Sequence, residues 1–280
     1  MLDEEQREIL RQLAKRFSLR GVYHKNLDRR VRQLASQASS PQLIAGEIAP
    51  DDFVVRENSV QFALSFSEGY SVGLFLDQRE NRRRLLTRYV APRFFLESEP
   101  GKISGAPVGV LNTFSYTCGF SVCAAISGAR VTSLDLSKKY LDWGKRNFAL
   151  NQLDPAAHEF IFGDAFDWMK RLAKKKRTFD VVILDPPTFS NSKAEEIFQA
   201  GRDYGKLVRA ALPLLKSGGV LLASTNAANL KPETFLTTVE SAVGSAQRKI
   251  MLQHYVPQPV DFPISRDEPA YLKTAWLKID

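Results

Sequence analysis

Carboxylates close three predicted strands in the second half of the chain. Asp135 ends the run VTSLD, Asp164 follows EFIFG, and Asp185 ends VVILD. In open α/β sheets, ligands bind beyond the carboxyl ends of the strands, where the strand order switches. An acid after the second strand can accept hydrogen bonds from the two hydroxyls of a ribose, and one after the third can accept from the exocyclic amine of adenine. Together these acids predict a site for an adenosine-containing ligand.

Each aspartate, taken singly, also has a structural interpretation. Asp is a preferred N-cap residue, and both Asp135 and Asp164 stand just ahead of predicted helices. Capping explains any one of them. A series of consecutive strands that all end in this way favours the ligand site.

The loop after the first predicted strand, LNTFSYTCGF, narrows the choice of ligand. It contains a single glycine, Gly119. The pyrophosphate of a nicotinamide dinucleotide needs a three-glycine loop that lets it approach a helix N-terminus. A dinucleotide is therefore not expected, whereas a cofactor without phosphate, such as S-adenosylmethionine (SAM), does not need those glycines.

The segment that follows the fourth strand reads DPPTF. Pro186 and Pro187 fix the backbone just past the strand and direct the next side chains into the cleft. Phe189 can then stack on a base that has been pulled out of its helix. The alternative is that Phe189 is a core residue beneath a loop.

The elements that position these residues follow from apolar runs that alternate with helical stretches from Val108 onward. Strands are predicted at 108–112, 131–135, 159–162, 180–185, 218–224, 247–256 and 270–279. Helices are predicted at 120–128, 137–151, 165–176, 195–215 and 232–243. This pattern predicts an α/β fold with a doubly wound, seven-stranded Rossmann-like sheet and a small helical and β N-terminal attachment.

The chain ahead of the sheet is predicted as two pieces. Residues 1–50 are expected to form a basic, mostly helical arm that ends in linker-like sequence at 36–50. Residues 51–105 are expected to form a β-hairpin and a helix, the helix over 77–89. The ligand-binding domain then covers 106–280.

Positive charge is concentrated in three stretches of a chain whose net charge is +8. They are residues 7–32, residues 79–93 with six arginines, and residues 170–177 with six basic side chains. If the three meet on one face, they form a phosphate-binding surface. The competing interpretation is that they are solvated helix faces.

Other functional classes find little support in the composition. The two cysteines, Cys118 and Cys123, provide neither a disulfide framework nor a metal site. His24, His158 and His254 are isolated and are interpreted as structural. No apolar run reaches the length of a membrane span and the first residues do not resemble a secretion signal, so a cytoplasmic protein without a membrane partner is expected.

Six stretches in order resemble one known family. FLDQRENR, LNTFSYTCGFSV, DLSKKYLDWGKRNFALN, GDAFDWM, DPPTFSNSK and LLASTNAANL resemble the SAM-dependent methyltransferases that modify bases of 23S ribosomal RNA, including the 5-methylcytosine and 7-methylguanine enzymes. The resemblance covers about residues 70–280 and implies a class I methyltransferase sheet, SAM as cofactor and RNA as partner. The resemblance also places Gln78 and Arg79 near the cofactor. The chemistry of their side chains does not by itself assign them a role there.

The resemblance gives the strand-end residues their expected roles. Asp135 would bind the ribose of SAM, Asp164 the adenine end, and Asp185 would lie beside the sulfonium. The cofactor residues expected are Phe114, Ser115, Tyr116, Thr117, Gly119, Asp135, Leu136, Asp164, Ala165 and Asp185. The residues expected to face the base are Asp185, Pro186, Phe189 and Asn226.

The methylated atom separates the members of the family. Methylation of cytosine C5 needs a thiolate that adds to the ring, and those members carry a cysteine in the loop after the fifth strand. Here Asn226 stands at that position. Guanine N7 already offers a lone pair, so N7 is preferred over C5. A small-molecule methyltransferase and an RNA assembly factor without catalysis are the alternatives.

Overall fold

The chain forms two compact units, Met1–Leu74 and Phe75–Asp280. The computed structural model describes residues 2–26, 39–69, 72–96, 107–190, 198–262, 264–266 and 269–280. The predicted boundaries at 50/51 and 105/106 do not coincide with this division. The hairpin and the helix grouped together in the predicted 51–105 segment fall in different units.

Within its described residues, the first unit contains one helix and two antiparallel strand pairs, β1 with β2 and β3 with β4. Its aromatic side chains pack together, since the rings of Tyr23 and Phe53 lie 4.4 Å and 4.9 Å from the ring of Phe66. The elements are α1 (Glu4–Arg16), β1 (Gly21–His24), β2 (Gln42–Gly46), β3 (Phe53–Glu57) and β4 (Val60–Leu64).

The expectation of a mostly helical arm followed by a linker was wrong for two segments. Strand β1 lies in the expected arm, and strand β2 lies in the stretch assigned as linker. Both are short, and neither contains a fully buried residue, so the apolar alternation that marks a strand is too weak to detect in them. Residues 27–38 of the arm lie outside the described part of the chain.

A seven-stranded sheet forms the centre of the second unit, in the order β14-β15-β13-β10-β7-β8-β9. The pairs β10–β13, β10–β7, β7–β8 and β8–β9 are parallel, whereas β15 is antiparallel to both of its neighbours. The strands of this unit are β5 (Tyr89–Ala91), β6 (Phe94–Phe95), β7 (Gly109–Thr113), β8 (Arg130–Asp135), β9 (Glu159–Phe162), β10 (Phe179–Leu184), β11 (Phe189–Ser190), β12 (Phe198–Gln199), β13 (Leu215–Thr225), β14 (Ile250–Pro257) and β15 (Lys273–Ile279).

Helices cover both faces of this sheet, which explains why its central strands are apolar along nearly their whole length. Val182 and Leu221 on neighbouring parallel strands are fully buried, as is Trp276 on the antiparallel strand. The helices are α2 (Arg79–Thr87), α3 (Gly119–Ile126), α4 (Lys138–Leu150), α5 (Ala165–Lys174), α6 (Ala200–Ala211) and α7 (Pro232–Ser245).

The predicted class I, doubly wound sheet is confirmed, and each of its seven predicted strands occurs with bounds that differ by a few residues. The predicted helix 195–215 is shorter, because α6 spans only Ala200–Ala211 and a 3₁₀ turn follows at Leu212–Leu214. Part of that prediction, residues 191–197, lies outside the described residues. Among the helices that the structure describes, none is long and apolar enough to cross a bilayer.

Candidate functional site

The loops that follow β7, β8 and β10 lie together at one edge of the sheet. Strand β7 is flanked by β8 on one side and β10 on the other and runs parallel to both. Their carboxyl ends therefore meet, and the strand order switches direction here. The structure brings together the loop 114–118, Asp135 and Asp185 at this edge, as their positions at strand ends predicted.

The backbone of the loop 114–118 is left-handed at three residues that are not glycine. Phe114, Tyr116 and Cys118 have φ values of 54°, 49° and 63°. A left-handed residue with a side chain costs on the order of 1 kcal/mol or more, and such conformations persist only where surrounding contacts enforce them. Strain concentrated at a strand end is typical of a ligand-binding loop.

Helix α4 supports this loop from below. Asn147 Nδ2 donates a hydrogen bond of 2.9 Å to the carbonyl of Thr117, and both side chains are fully buried. Gly144 lies against Cys118 so closely that a Cβ at position 144 would be 2.3 Å from the Cys118 Sγ. The loop can therefore pack this closely against α4 only because residue 144 has no side chain. Ser115 is also buried, and Gly119 begins helix α3.

Asp135 connects the loop to the end of β8. Its Oδ2 accepts a hydrogen bond of 2.7 Å from the Tyr116 N–H, and its Oδ1 accepts one of 2.8 Å from the Ser137 N–H. Burial raises the pKa of Asp135 to about 6, against the opposing effect of these donors. Leu136 and Phe162, which are 47% and 57% exposed, lie beside it and offer apolar surface.

Asp164 caps helix α5. Its Oδ1 accepts hydrogen bonds from the N–H groups of Phe166 and Asp167, at 2.9 Å and 3.1 Å. The structural interpretation of this aspartate therefore holds. It leaves open a ligand contact through the other carboxylate oxygen, because one oxygen makes both capping bonds. Ala165, the first residue of the helix, is buried.

Asp185 lies just after β10 and is held by a residue from a distant part of the chain. Gln78 Nε2 donates to the Asp185 Oδ2 at 3.2 Å and to the Ser224 Oγ at 2.8 Å. The pKa of Asp185 is raised to about 7, first by burial and also by the nearby Asp77 carboxylate, while Ser224, Gln78 and Arg82 oppose the shift.

The segment expected to face a base begins at Pro186, which is buried. Thr188 Oγ1 donates a hydrogen bond of 2.7 Å to the Oδ1 of Asn226, in the exposed loop after β13. The structure therefore brings the DPPT segment and Asn226 together. Phe189 forms a short antiparallel pair with residue 199 in its backbone. The side chain of Phe189 lies outside the described part of the structure.

Sequence reasoning missed Ser224, Lys273 and the function of Gln78. Lys273 is fully buried at the start of β15, and its Nζ donates a hydrogen bond of 2.7 Å to the carbonyl of Ala227, next to Asn226. A lysine at a strand start gives no local signal that its amine reaches the opposite loop. The sequence signal for Lys273 and Gln78 was only that the lysine lies in a mainly apolar stretch of the chain and that the glutamine closely follows one.

The two cysteines and one of the histidines are interpreted as structural residues. Cys118 and Cys123 are both buried free thiols, and burial raises the pKa of Cys118 to about 12. His158 Nδ1 accepts a hydrogen bond of 3.2 Å from the Val131 N–H, in agreement with a structural role. Across the residues that the structure describes, no group of three or more His, Cys, Asp or Glu side chains is arranged to hold a metal ion.

Most arginines of the 79–93 cluster donate to the protein itself. Arg82 is buried and donates to the carbonyl of Phe75, and Arg84 donates to the carbonyls of Glu80 and Val90. Three others also bind protein acceptors, namely Arg79 with Asp261, Arg83 with Glu80, and Arg88 with Ser127. Five of the six arginines of this cluster therefore make contacts within the second unit, and the phosphate-binding surface stays a prediction.

The geometry fits a phosphate-free adenosine cofactor. Asp135 is a partly buried carboxylate whose oxygens keep further lone pairs for ribose hydroxyls, because each carboxylate oxygen can accept two hydrogen bonds. Exposed apolar surface from Leu136 and Phe162 lies next to it. The left-handed loop lacks the glycines that would admit a pyrophosphate.

The sheet order and the strand-end acids define an adenosine-binding domain of the class I type. A family model of S-adenosylmethionine-dependent methyltransferases matches residues 5–277, and this chain belongs to that family. SAM is the cofactor of the family.

Relatives with assigned names agree with this membership. The chain is 36% identical over 282 residues to a "Ribosomal RNA large subunit methyltransferase" of Deinococcus radiodurans, which covers 97% of this chain and 64% of the relative. It is 38% identical over 202 residues to "Ribosomal RNA large subunit methyltransferase K" of Neisseria meningitidis serogroup B, covering 71% of this chain and 51% of the relative. The chain thus spans less than two thirds of the length of each.

This chain is also similar to a solved structure described as "a putative methyltransferase complexed with SAH", where SAH is S-adenosylhomocysteine. That structure superposes with a TM-score of 0.79 at 31% sequence identity and covers 98% of this chain and 65% of its own.

Proposed function

We propose that this chain transfers a methyl group from SAM to a base of large-subunit ribosomal RNA. The carrying observation is the Thr188–Asn226 hydrogen bond of 2.7 Å, which joins two exposed segments at the sheet edge that also holds Asp135 and Asp185. The residues proposed to bind the cofactor and a polar segment proposed to face a base thus share one edge. The names of the relatives supply the class of substrate.

The cofactor half of the site uses backbone and carboxylates. In this proposal the loop 114–118 surrounds the methionine part of SAM, Asp135 accepts from the ribose hydroxyls, and Asp164 accepts from the adenine amine through its second carboxylate oxygen. Asp185 faces the sulfonium. SAM supplies an electrophilic methyl group that needs no further activation. The protein's contribution is to orient acceptor and donor and to exclude water.

The base half of the site uses Asn226. Because Thr188 donates to the Asn226 Oδ1, we propose that the amide nitrogen of Asn226 serves as a donor toward the base. Guanine presents two acceptors, O6 and N7, on one edge, whereas cytosine presents an amine on the corresponding edge. A donor at this position therefore suits guanine. Pro186 fixes the backbone that carries this arrangement, and Phe189 is proposed to stack on the base.

The state of the thiols also favours guanine N7 over cytosine C5. A C5 mechanism needs an accessible thiolate. Cys118 is fully buried with its pKa raised to about 12, and Cys123 is 2% exposed within helix α3. These are the only two cysteines of the chain. A direct transfer to a nitrogen lone pair requires only alignment.

The exposed basic residues at the end of α5 are the proposed phosphate contacts. Lys170, Lys174, Lys175 and Lys176 are all exposed there, whereas five of the six arginines of the 79–93 cluster are buried or partly buried. A ribosomal substrate implies that the activity takes place in the cytoplasm.

The decisive experiment is to incubate the protein with isotopically labelled SAM and unmodified 23S RNA, and to identify the labelled nucleoside by mass spectrometry. Labelled 7-methylguanosine is expected. Labelled 5-methylcytidine would overturn the assignment of the atom. Label found only in a metabolite extract would favour a small-molecule methyltransferase, and SAM binding without transfer would favour a non-catalytic assembly factor.

The RNA-binding surface is tested by the salt dependence of RNA binding. Replacing Lys174, Lys175 and Lys176 by Gln should lower the slope of log affinity against log salt by about 0.7 for each phosphate that a lysine no longer neutralises. Lys249→Gln, at another exposed lysine, is the control and should leave the slope unchanged. An unchanged slope in the triple variant contradicts this surface.

A further inference from the structure

A line of buried side chains connects the antiparallel strand β15 to Asp185. Trp276 Nε1 donates to the Asn81 Oδ1 at 2.9 Å, and Asn81 Nδ2 donates to the Gln78 Oε1 at 2.7 Å. Gln78 Nε2 then donates to the Asp185 Oδ2 at 3.2 Å. Trp276, Asn81 and Gln78 are 0%, 1% and 3% exposed. Three buried protein groups therefore set the hydrogen bonds that reach Asp185 from this side.

The line has one allowed direction. An indole N–H can only donate, so Trp276 requires the carbonyl end of Asn81 to face it. The amide nitrogen of Asn81 then faces Gln78, which must accept through its oxygen. The nitrogen of Gln78 is consequently the end that faces Asp185. A reversed Gln78 would place an oxygen lone pair against the Asp185 carboxylate and leave a buried donor without its acceptor.

The same nitrogen ends are held from the side by hydroxyls. Gln78 Nε2 also donates to the Ser224 Oγ at 2.8 Å, and Asn81 Nδ2 to the Thr274 Oγ1 at 3.2 Å. Each amide thus keeps its orientation through two hydrogen bonds on its donor side.

The charged and titratable groups around Asp185 come from two elements besides its own. Asp77 and Arg82, from the segment at the start of the second unit, act on its charge in opposite senses, and the fully buried Tyr204 of α6 is coupled to it. Asp77 is itself hydrogen-bonded to Tyr271. Burial, and after it the Asp77 carboxylate, raise the pKa of Asp185 to about 7, while Arg82 opposes the shift. The fraction of Asp185 that is ionised near neutral pH therefore depends on each hydrogen-bond donor that its carboxylate has.

We propose that Gln78 is the positioning residue for the Asp185 carboxylate, and that Trp276 and Asn81 fix its donor direction from within the core. The inference rests on the proposed function, in which Asp185 faces the sulfonium of SAM. An oriented carboxylate attracts this cation. It has no such attraction for the neutral thioether of SAH, so the two ligands report the state of Asp185 by their difference.

The first test measures SAM and SAH affinities by calorimetry. In Gln78→Met, which keeps the volume and removes the donor, the SAM Kd should rise by about tenfold or more relative to the SAH Kd. Asn81→Leu, which leaves Gln78 in place, should shift the ratio in the same sense by a smaller factor. Asn147→Leu is the matched control, since this buried helical asparagine supports the loop at Thr117 and should weaken both ligands equally.

The proposal would be overturned if Gln78→Met weakened SAM and SAH binding equally. It would also be overturned if the ratio of the SAM Kd to the SAH Kd were unchanged in both Gln78→Met and Asn81→Leu. Wild-type protein that binds SAM but transfers no methyl group to RNA would count against the proposed function and leave this comparison intact.

The second test needs no ligand. In ¹⁵N NMR spectra of the wild-type protein, the Trp276 indole resonance should shift between about pH 6 and 8 as Asp185 titrates, while Trp143 and Trp168 serve as internal references. Asp185→Asn should abolish this shift. If the pH-dependent shift of the Trp276 resonance is the same in Asp185→Asn as in the wild type, no chain of hydrogen bonds connects the two residues. This result would overturn the proposal independently of the SAM affinities.

Discussion

The Asp135 carboxylate accepts a hydrogen bond of 2.7 Å from the backbone N–H of Tyr116, a left-handed residue with φ of 49°. The acid that is proposed to bind the ribose therefore also holds the strained loop that is proposed to surround the methionine part. Cofactor binding and loop conformation depend on the same carboxylate. Its pKa, raised to about 6 by burial, sets the pH at which both weaken.

Removal of this carboxylate should abolish tight cofactor binding. In Asp135→Ala the Tyr116 N–H loses its acceptor and the ribose loses its partner, so the Kd values of SAM and SAH should both rise by about tenfold to a hundredfold in calorimetry. In wild-type protein both affinities should fall as the pH drops through about 6, because the protonated acid accepts less well. Asp142→Ala, at an exposed aspartate of α4, is the control. Wild-type affinity in Asp135→Ala would refute the ribose assignment.

The strand-end acids were predictable from sequence because their signal is local. An apolar run that stops at a carboxylate shows both the strand and its polar end, and this pattern located Asp135 and Asp185 correctly at one edge. The contact between Gln78 and Asp185 spans 107 residues of chain, and nothing in either local pattern indicates the other residue.

Local patterns also failed where tertiary contacts override residue preference. The left-handed conformation of Phe114 and Tyr116 contradicts what their side chains prefer, and the hydrogen bonds and the helix beneath the loop enforce it. A count of arginines in 79–93 could not show that Arg82 and Arg84 point at backbone carbonyls, because this depends on how α2 packs.

Asp185 should lower stability while it serves the site. Its pKa is about 7 in the folded protein and near 4 in the unfolded chain, so the folded state prefers the protonated form. Stability should therefore decrease as the pH rises from about 4 to about 7, and stay level above. Asp185→Asn should remove this decrease and raise the unfolding free energy at neutral pH by on the order of 1 kcal/mol, with a loss of SAM affinity.

Chemical denaturation at a series of pH values measures this effect. Asp167→Asn, at an exposed aspartate of α5, controls for the loss of one negative charge and should not change the pH profile. If Asp185→Asn is less stable than wild type at neutral pH, burial of the carboxylate is not what raises its pKa.

Gly144 should be intolerant of even one added methyl group. A Cβ there would lie 2.3 Å from the Cys118 Sγ and 2.9 Å from its Cβ, so Gly144→Ala must displace the loop. A loss of about 1–3 kcal/mol in stability is expected, together with weaker binding of SAM and SAH. Gly244→Ala is the matched control in α7, with nothing within 4 Å, and should stabilise by about 0.5–1 kcal/mol.

A second-site change makes the explanation of Gly144→Ala specific. Cys118→Gly removes both clashing atoms and suits the left-handed φ of 63° at that position. The double variant should regain most of the lost stability and cofactor affinity. Additive losses in the double variant would mean that the clash with Cys118 is not the cause.

Lys273 should control the loop that carries Asn226 without contacting the cofactor. Its buried amine donates to the Ala227 carbonyl at 2.7 Å, and burial lowers its pKa. Lys273→Met keeps an unbranched side chain one heavy atom shorter, removes the hydrogen bond and also removes a buried cation. Stability should therefore change little, whereas kcat on RNA should fall by about tenfold to a hundredfold because the base-facing loop is no longer held.

The separation of these effects is what identifies the function of Lys273. SAM affinity should be unchanged in Lys273→Met, and Asn226→Ala should reproduce its kinetic loss, with the double variant no worse than either single one. Lys278→Met, at a partly exposed lysine of the same strand, should leave kcat, SAM affinity and stability as they are. A parallel loss of SAM affinity in Lys273→Met would show that the lysine supports the sheet edge as a whole. If kcat is unchanged, the position of the loop does not depend on the Lys273–Ala227 hydrogen bond.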